Sequence, residues 1–433
     1  MKRLKRGGKR AKNKSAKKKK NHEVKRETTI LDLNTTILME IFLTLPPIAI
    51  IFCKVVCKEW YNLLTQSLFC SLYLKNPPYM HLIHFDFVKG YYPKRYQYEG
   101  EAIHLISLKK GSNNSHQEPS ICSKKLNIPR KDHLMIMGSC NGLLLLAQLT
   151  KPSMFTYINN PITGEYISLP CITRSRRLLS RALGFGFYTN YKVLFIETYQ
   201  LPNSELRVDC QIFTIGVDSK WRQLVVNTLI AFFLKGSGTI LNGSFHWLMD
   251  HDFIFEFLSE NSTLFWNSIC AFDFVTERFR RIPPPPENVI IKGKELSLGE
   301  LKGKLCVFNT SKIDQRIEIW TMNEYENANS WTKSHMLLLS WIPSCHFRCV
   351  HLPIASWRDG EILMPSCSRP QLISFNLREQ KAEIFYINGF EGIGRVYAEL
   401  TYFVPNFLRL KDALKGEASS KDKYPKIVNV QRV

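Results

Sequence analysis

The sequence predicts a multidomain chain: a small all-α unit near the N-terminus, then an all-β, propeller-like repeat domain of six blades. Three observations carry that expectation. Apolar stripes at helical spacing lie between residues 29 and 75, tight-turn dipeptides recur every 49 to 60 residues from position 141 onward, and a second ladder of aromatic positions keeps step with them. The 433 residues, 45% hydrophobic and 12% aromatic, suffice for a substantial core.

The chain begins with charge. Its formal net charge is +22, and residues 1–26 hold fourteen Lys or Arg against the single Glu23, which accounts for +13 of it. A run such as Lys17-Lys18-Lys19-Lys20 has no apolar surface to bury and repels itself, so residues 1–28 are expected to be a disordered basic tail. Such a tail can serve nuclear import or make non-specific contacts with polyanions. No zinc-finger or RNA-recognition pattern accompanies it, so nucleic acid is not expected as the main partner.

The helical segment follows. Asn34, Thr35 and Thr36 are good N-cap residues, because a side-chain oxygen there accepts from unpaired amides of the first turn. Leu38, Ile41, Phe42 and Leu45 fall at i, i+3, i+4 and i+7, a stripe that Pro46-Pro47 ends. A second stripe, Phe52, Val55, Val56, Trp60, Leu63 and Leu64, is expected to share one face. Two or three short helices are implied, in a unit too small to cover its own apolar surface, so that surface must meet a neighbour or a partner. Membrane insertion is not expected, since Glu40 and Lys54 bracket only thirteen uncharged residues, interrupted by the prolines, where a span needs roughly 20.

In the repeat region, residues 80–410, the turns are Asn141-Gly142, Asn190-Tyr191, Asn242-Gly243, Lys302-Gly303 and Asp359-Gly360, each leading into a strand-like run. The trailing aromatics Tyr166, Trp221, Phe279 and Trp331 mark a second hairpin in each repeat. Four strands per repeat of about 50 residues is the arithmetic of a kelch-like propeller blade, which cannot bury its sheet without neighbours. Five blades stand out, and a sixth is assembled from His81–Phe87, Ile103–Leu108 and a closing strand near Thr401–Val404. Residues 411–433 read as a polar C-terminal tail. Target-contacting loops are expected at Lys109–Lys125, Ser175–Arg181 and Ser259–Asn267.

No phosphate-cradling, zinc-protease or nucleophile-elbow pattern is present, so no catalytic residue, cofactor or metal is expected. Cys345, His346, Cys349 and His351 are too compressed for one tetrahedral ion and read as a loop. His246 reads as a satisfied, partly buried histidine, and Asp273 and Glu277 as turn-forming or solvated residues. The twelve cysteines, scattered from Cys53 to Cys367, suit a reducing compartment, nucleus and/or cytoplasm.

The run Leu33 to Pro46, with Ile37-Leu38-Met39-Glu40-Ile41-Phe42-Leu43-Thr44-Leu45-Pro46 at its end, followed by Val56-Cys57-Lys58-Glu59-Trp60, resembles an F-box motif. Gly138-Ser139-Cys140-Asn141-Gly142, Gly184-Phe185-Gly186-Phe187, Leu241 to Leu248 and Phe272-Asp273-Phe274 resemble the F-box-associated domain of plant-type F-box proteins. The resemblance implies an F-box at 29–75, an F-box-associated domain at 80–410 and a non-catalytic subunit of an E3 ubiquitin ligase. It further implies docking on the Skp-type adaptor of a cullin ligase through Leu33, Ile37, Ile41, Leu45, Pro46, Val56, Cys57 and Trp60, with an unidentified target protein on the repeats. Asn34 stands where the family usually has Pro, Ile48 where a basic residue is common, and Phe52-Cys53 in place of an Arg-Phe pair. The alternative is a propeller binding module uncoupled from the ligase.

Overall fold

The computed structural model describes residues 33–75, 79–85, 102–109, 120–125, 134–149, 153–173, 178–203, 206–226, 234–249, 269–286, 295–311, 313–338, 355–356, 360–365, 371–386 and 401–414, with the single positions 30 and 77. The basic tail, the loop Ser259–Asn267 and the cluster Cys345–His351 lie outside them.

Four short helices come first: α1 (Thr35–Leu43), α2 (Pro47–Cys53), α3 (Lys58–Leu64) and α4 (Ser67–Lys75). Asn34 caps α1, its Oδ1 accepting from Ile37 N at 2.9 Å. The proline pair both ends α1 and begins α2, because Pro47 occupies a first-turn position where a missing N–H costs nothing. The expected second stripe is divided. Cys57 is extended (φ −155°, ψ 168°) and caps α3, so the chain breaks between α2 and α3. Phe52, Val55 and Val56 consequently point to solvent while Trp60, Leu63 and Leu64 are buried. Helix α4 adds an element beyond those two stripes; Phe69, Cys70 and Tyr73 are its buried face.

Six antiparallel sheets follow. The first contains β1 (Tyr79–Phe85), β2 (Ala102–Lys109) and β3 (Ser120–Lys125); the second contains β4 (Leu134–Cys140), β5 (Leu143–Leu149), β6 (Ser153–Asn159), β7 (Tyr166–Ser168) and β8 (Ile172–Thr173). The third is β9 (Leu178–Phe187), β10 (Tyr191–Gln200), β11 (Leu206–Thr214) and β12 (Arg222–Leu224), and the fourth β13 (Leu234–Leu241), β14 (Ser244–Met249), β15 (Ile269–Asp273) and β16 (Arg278–Ile282). The fifth is β17 (Glu295–Leu301), β18 (Lys304–Ser311), β19 (Arg316–Met322) and β20 (Trp331–Leu338), and the sixth β21 (Ala355–Ser356), β22 (Glu361–Pro365), β23 (Gln371–Asn376) and β24 (Lys381–Tyr386). The last strand, β25 (Thr401–Phe403), returns to pair with β1, so the first blade is built from both ends of the domain. This is the six-bladed propeller expected from the repeats, closed near Thr401 as expected.

The innermost strands neighbour one another in the order β25, β4, β9, β13, β17, β21. Because strands alternate in direction within a blade, the turn from first to second strand and the turn from third to fourth lie at one end of the ring. Three of those tight turns have both central residues at positive φ: Asn141-Gly142, Asn242-Gly243 and Lys302-Gly303. The expected turn at Asn190-Tyr191 differs, since β9 ends at Phe187 and residues 188–190 make the connection, and Asp359 of the expected Asp359-Gly360 turn lies outside the described residues.

Blades are tied to each other by a repeated device. Trp221 Nε1 donates to Pro170 O of the preceding blade at 2.8 Å, and Trp331 Nε1 donates to Pro283 O of its preceding blade at 3.0 Å. Glu277 does lie in the turn, at φ +54°, but its carboxylate is not left to solvent: it accepts from Lys192 Nζ at 2.8 Å and from Arg222 Nη2 at 2.9 Å, joining the third blade to the fourth. Burial opposes its ionisation, but the Arg222 and Lys192 hydrogen bonds win and hold the carboxyl below its ordinary range. Asp273 does act in the turn, its Oδ1 accepting from Val275 N and Thr276 N at 2.7 and 2.9 Å.

Three further boundaries differ from the sequence reading. The loop expected at Lys109–Lys125 ends in β3, a full edge strand on β2, and Ser175–Arg181 runs into the innermost strand β9. Residues 411–414 are not the start of a polar tail, because a helical turn, α5 (Leu410–Ala413), buries Leu410, Ala413 and Leu414 against the second and third blades.

Candidate functional site

The helical unit sits on the tight-turn end of the propeller, over the first two blades. Its inner face, Leu38, Phe42, Ile50, Trp60, Leu63, Leu64, Phe69 and Tyr73, forms one continuous core with Ile83, Leu105, Leu144, Ile162, Phe403 and Phe407 of the propeller. Trp60 packs edge-on against Phe42, with ring centroids 4.8 Å apart. The shared core is sealed by polar contacts, including Lys54 Nζ donating to Phe407 O at 2.5 Å and Tyr73 Oη donating to Leu45 O at 3.2 Å. Burial lowers the Lys54 ammonium to about 8.

The outer face is apolar and open. Val55 is 82% exposed, Phe52 64%, Val56 54% and Ile37 42%, and Leu68 and Leu72, four residues apart on α4, are exposed as well. An apolar surface of that kind, on helices whose other face is already committed to the propeller, is characteristic of a protein-docking site.

The F-box domain family matches residues 30–72, and the family described as F-box associated beta propeller domain matches residues 96–407, most of the chain. The chain belongs to the F-box proteins with an F-box-associated β-propeller domain.

Its relatives include the Arabidopsis thaliana F-box protein At3g07870, 26% identical, with 75% of this chain and 77% of the relative covered. The Arabidopsis F-box protein CPR1 is 22% identical, with 80% and 82% covered. An Arabidopsis protein described as F-box/kelch-repeat, At3g17540, is 25% identical, with 93% and 96% covered.

Within this F-box the motif residues divide by burial. Ile37 and Val56 lie on the open face; Leu33, Ile41, Leu45, Pro46 and Cys57 are half-buried at its margin; Trp60, 6% exposed, belongs to the interior. Cys57 has a local task, its Sγ accepting from Trp60 N at 3.5 Å at the start of α3. Motif matching passed over Phe52, Val55, Leu68 and Leu72. The spacing of Leu68 and Leu72 opposite Phe69 and Tyr73 is the sequence signal that would have found the α4 pair.

Several of the propeller's described titratable groups join one blade to the next. His246 is fully buried between β14 and the fifth blade, with Nε2 2.7 Å from Tyr325 Oη and Nδ1 3.3 Å from Thr239 O. Arg280 Nη2 donates to the same Tyr325 Oη and to Ser244 Oγ, each at 3.0 Å. Burial first, and the Arg280 charge after it, lower His246 to about 4. Among the described residues no group of three His, Cys, Asp or Glu is placed to hold a metal ion, and Cys53, Cys57, Cys70, Cys140, Cys171, Cys210, Cys270 and Cys306 are free. Burial pushes the Cys140 thiol up to about 12, which leaves it protonated and inert. No described helix is long and apolar enough to cross a membrane.

Proposed function

We propose that this chain is the substrate-recognition adaptor of a Skp–cullin–F-box ubiquitin ligase, acting in the nucleus or cytoplasm. The Skp-type adaptor docks on the open helical face through Ile37, Phe52, Val55, Val56, Leu68 and Leu72, with Leu33, Ile41, Leu45, Pro46 and Cys57 as its margin and Trp60 supporting it from beneath. The propeller holds a target protein on the end away from the helices. The chain then contributes proximity: it brings the target to a ubiquitin-loaded conjugating enzyme, and the bond-making chemistry belongs to other subunits. The observation that carries the reading is the set of exposed apolar side chains on a helical unit whose buried residues are already packed in a core shared with the propeller.

The test is a pull-down of purified Skp-type adaptor by the full chain and by a Val55→Glu/Val56→Glu double variant. Both positions are solvent-exposed, so the variant is expected to melt like the parent and to lose at least tenfold in adaptor recovery. Equal recovery by parent and variant rejects this surface. A parent that holds its target but recovers no adaptor supports the uncoupled binding module instead.

A further inference from the structure

Among the described residues, strand β25 closes the ring with three paired positions, His81↔Phe403, Leu82↔Tyr402 and Ile83↔Thr401. The chain runs from there straight into the underside of the helices. Phe407 is fully buried, its ring edge-on to Tyr73 at 5.0 Å and beside Phe69 at 5.8 Å, and its carbonyl is the acceptor for Lys54. Arg409 donates through Nε and Nη2 to Tyr61 Oη at 3.0 and 2.6 Å. The other side of the same stretch is fastened to the second blade. Asn160 Nδ2 donates to Asn406 O and Leu408 O at 3.0 Å each, Asn406 Nδ2 donates to Asn141 O at 2.9 Å, and Glu165 Oε2 accepts from Leu410 N at 2.5 Å. Asn160 and Asn406 are themselves buried, so displacing the strap would strand their amides without partners.

We infer that residues 401–410 make the ordering of the helical unit conditional on closure of the propeller ring. Helices of seven to nine residues are too short to persist by themselves, so α1–α4 depend on tertiary packing for their stability. That packing runs through Phe403, Phe407 and Arg409, whose positions are set by β25 pairing and by the Asn160–Asn406 contacts. A chain whose ring has opened at β25 therefore presents no ordered helical surface. The coupling is reciprocal: whatever orders the helices also holds β25 in place. It concerns the two parts of one chain and does not depend on the ligase reading.

Hydrogen exchange read by mass spectrometry on the full chain, with no adaptor present, tests it. Tyr402→Pro, which removes a backbone N–H and fixes φ at the middle of this three-residue strand, is expected to speed exchange in α3 and α4 at least tenfold while β14, β15 and β19 keep their protection. Gly243→Ala, an exposed turn change in the fourth blade, leaves the helices unaltered. Helices that retain parental exchange after Tyr402→Pro overturn the inference. Should Tyr402→Pro unfold the whole ring, Phe407→Ala decides it from the other direction: loosening the helices must speed exchange at β1 and β25 by a similar factor, and unchanged protection there sinks the coupling. Failure of the adaptor pull-down would strike the ligase proposal and leave this result standing.

Discussion

At the scale of single residues, the chemistry of this protein consists of buried polar groups that hold blades together. His246 is the clearest case. Tyr325 Oη already accepts from Arg280, so its own proton goes to His246 Nε2, and the imidazole is neutral with its proton on Nδ1 facing Thr239 O. A second ring proton, on Nε2, would force Tyr325 Oη to turn its own hydrogen away and accept a second donor, beside the Arg280 charge. The folded-state value near 4 lies below the unfolded value of about 6.5, so the unfolded chain binds the extra proton between those pH values. Stability from this site is therefore complete above about pH 6.5 and is lost as pH falls toward 4. Lowering pH from 7 to 5 is expected to remove on the order of 1–2 kcal/mol from the parent, and His246→Gln should flatten that part of the curve. Chemical denaturation of both proteins at the two pH values measures it; parallel curves would show that His246 is not the titrating group. Glu277 has the opposite charge and a separate window. Its depressed carboxyl contributes only while ionised and is lost below the ordinary carboxylate range, so the two sites do not overlap between pH 5 and 7.

At the scale of elements, the sequence and the structure agree wherever a residue's role is local. Asn-Gly demands a tight turn whatever surrounds it, and the strands after Gly142, Gly243 and Gly303 follow from the dipeptide alone. The proline pair and the Asn34 cap were legible for the same reason. What could not be read were roles set by distant neighbours. Phe52, Val55 and Val56 share a helical period with Trp60, Leu63 and Leu64, but an extended Cys57 turns the two groups to opposite sides. Glu277 carries no sequence mark of the lysine and arginine that reach it from another blade. The turns show the same limit. Gly142 and Gly243 occupy identical dipeptides at φ +76° and +71°, yet a Cβ at Gly142 would lie 2.5 Å from Asn406 and from Val404 O, whereas one at Gly243 meets nothing within 4 Å. Gly243→Ala should accordingly cost about 1 kcal/mol, from left-handed backbone strain alone. Gly142→Ala adds a clash with backbone that cannot step aside and should cost roughly 3 kcal/mol. Urea midpoints of the two variants compare them directly, and equal losses would show that the strap does not press on this turn.

At the scale of the whole molecule, the decisive feature is that helices and propeller share one core, and Lys54 marks where they meet. Its side chain is half-buried, and the ammonium donates to Phe407 O and lies 5.7 Å from the Phe407 ring centroid. These contacts do not fully replace water, so burial leaves the folded-state value at about 8 against about 10.4 for an unfolded chain. Between those values the unfolded chain holds the proton that the folded chain has released, and stability from this group rises with pH. The parent should therefore gain about 1 kcal/mol over a Lys54→Met variant when pH is raised from 7 to 9. Cysteines and tyrosines also titrate toward the top of that range, but they are common to both proteins and cancel in the difference. The gain should be largest in the helices and the 404–410 strap, because only there does neutralising Lys54 relieve a buried charge. Denaturation of both proteins at pH 7 and 9, with hydrogen exchange to locate the change, gives the answer. A parent–variant difference that stays constant across the two pH values would mean that water reaches Lys54 and that the junction between helices and propeller is looser than the shared core implies.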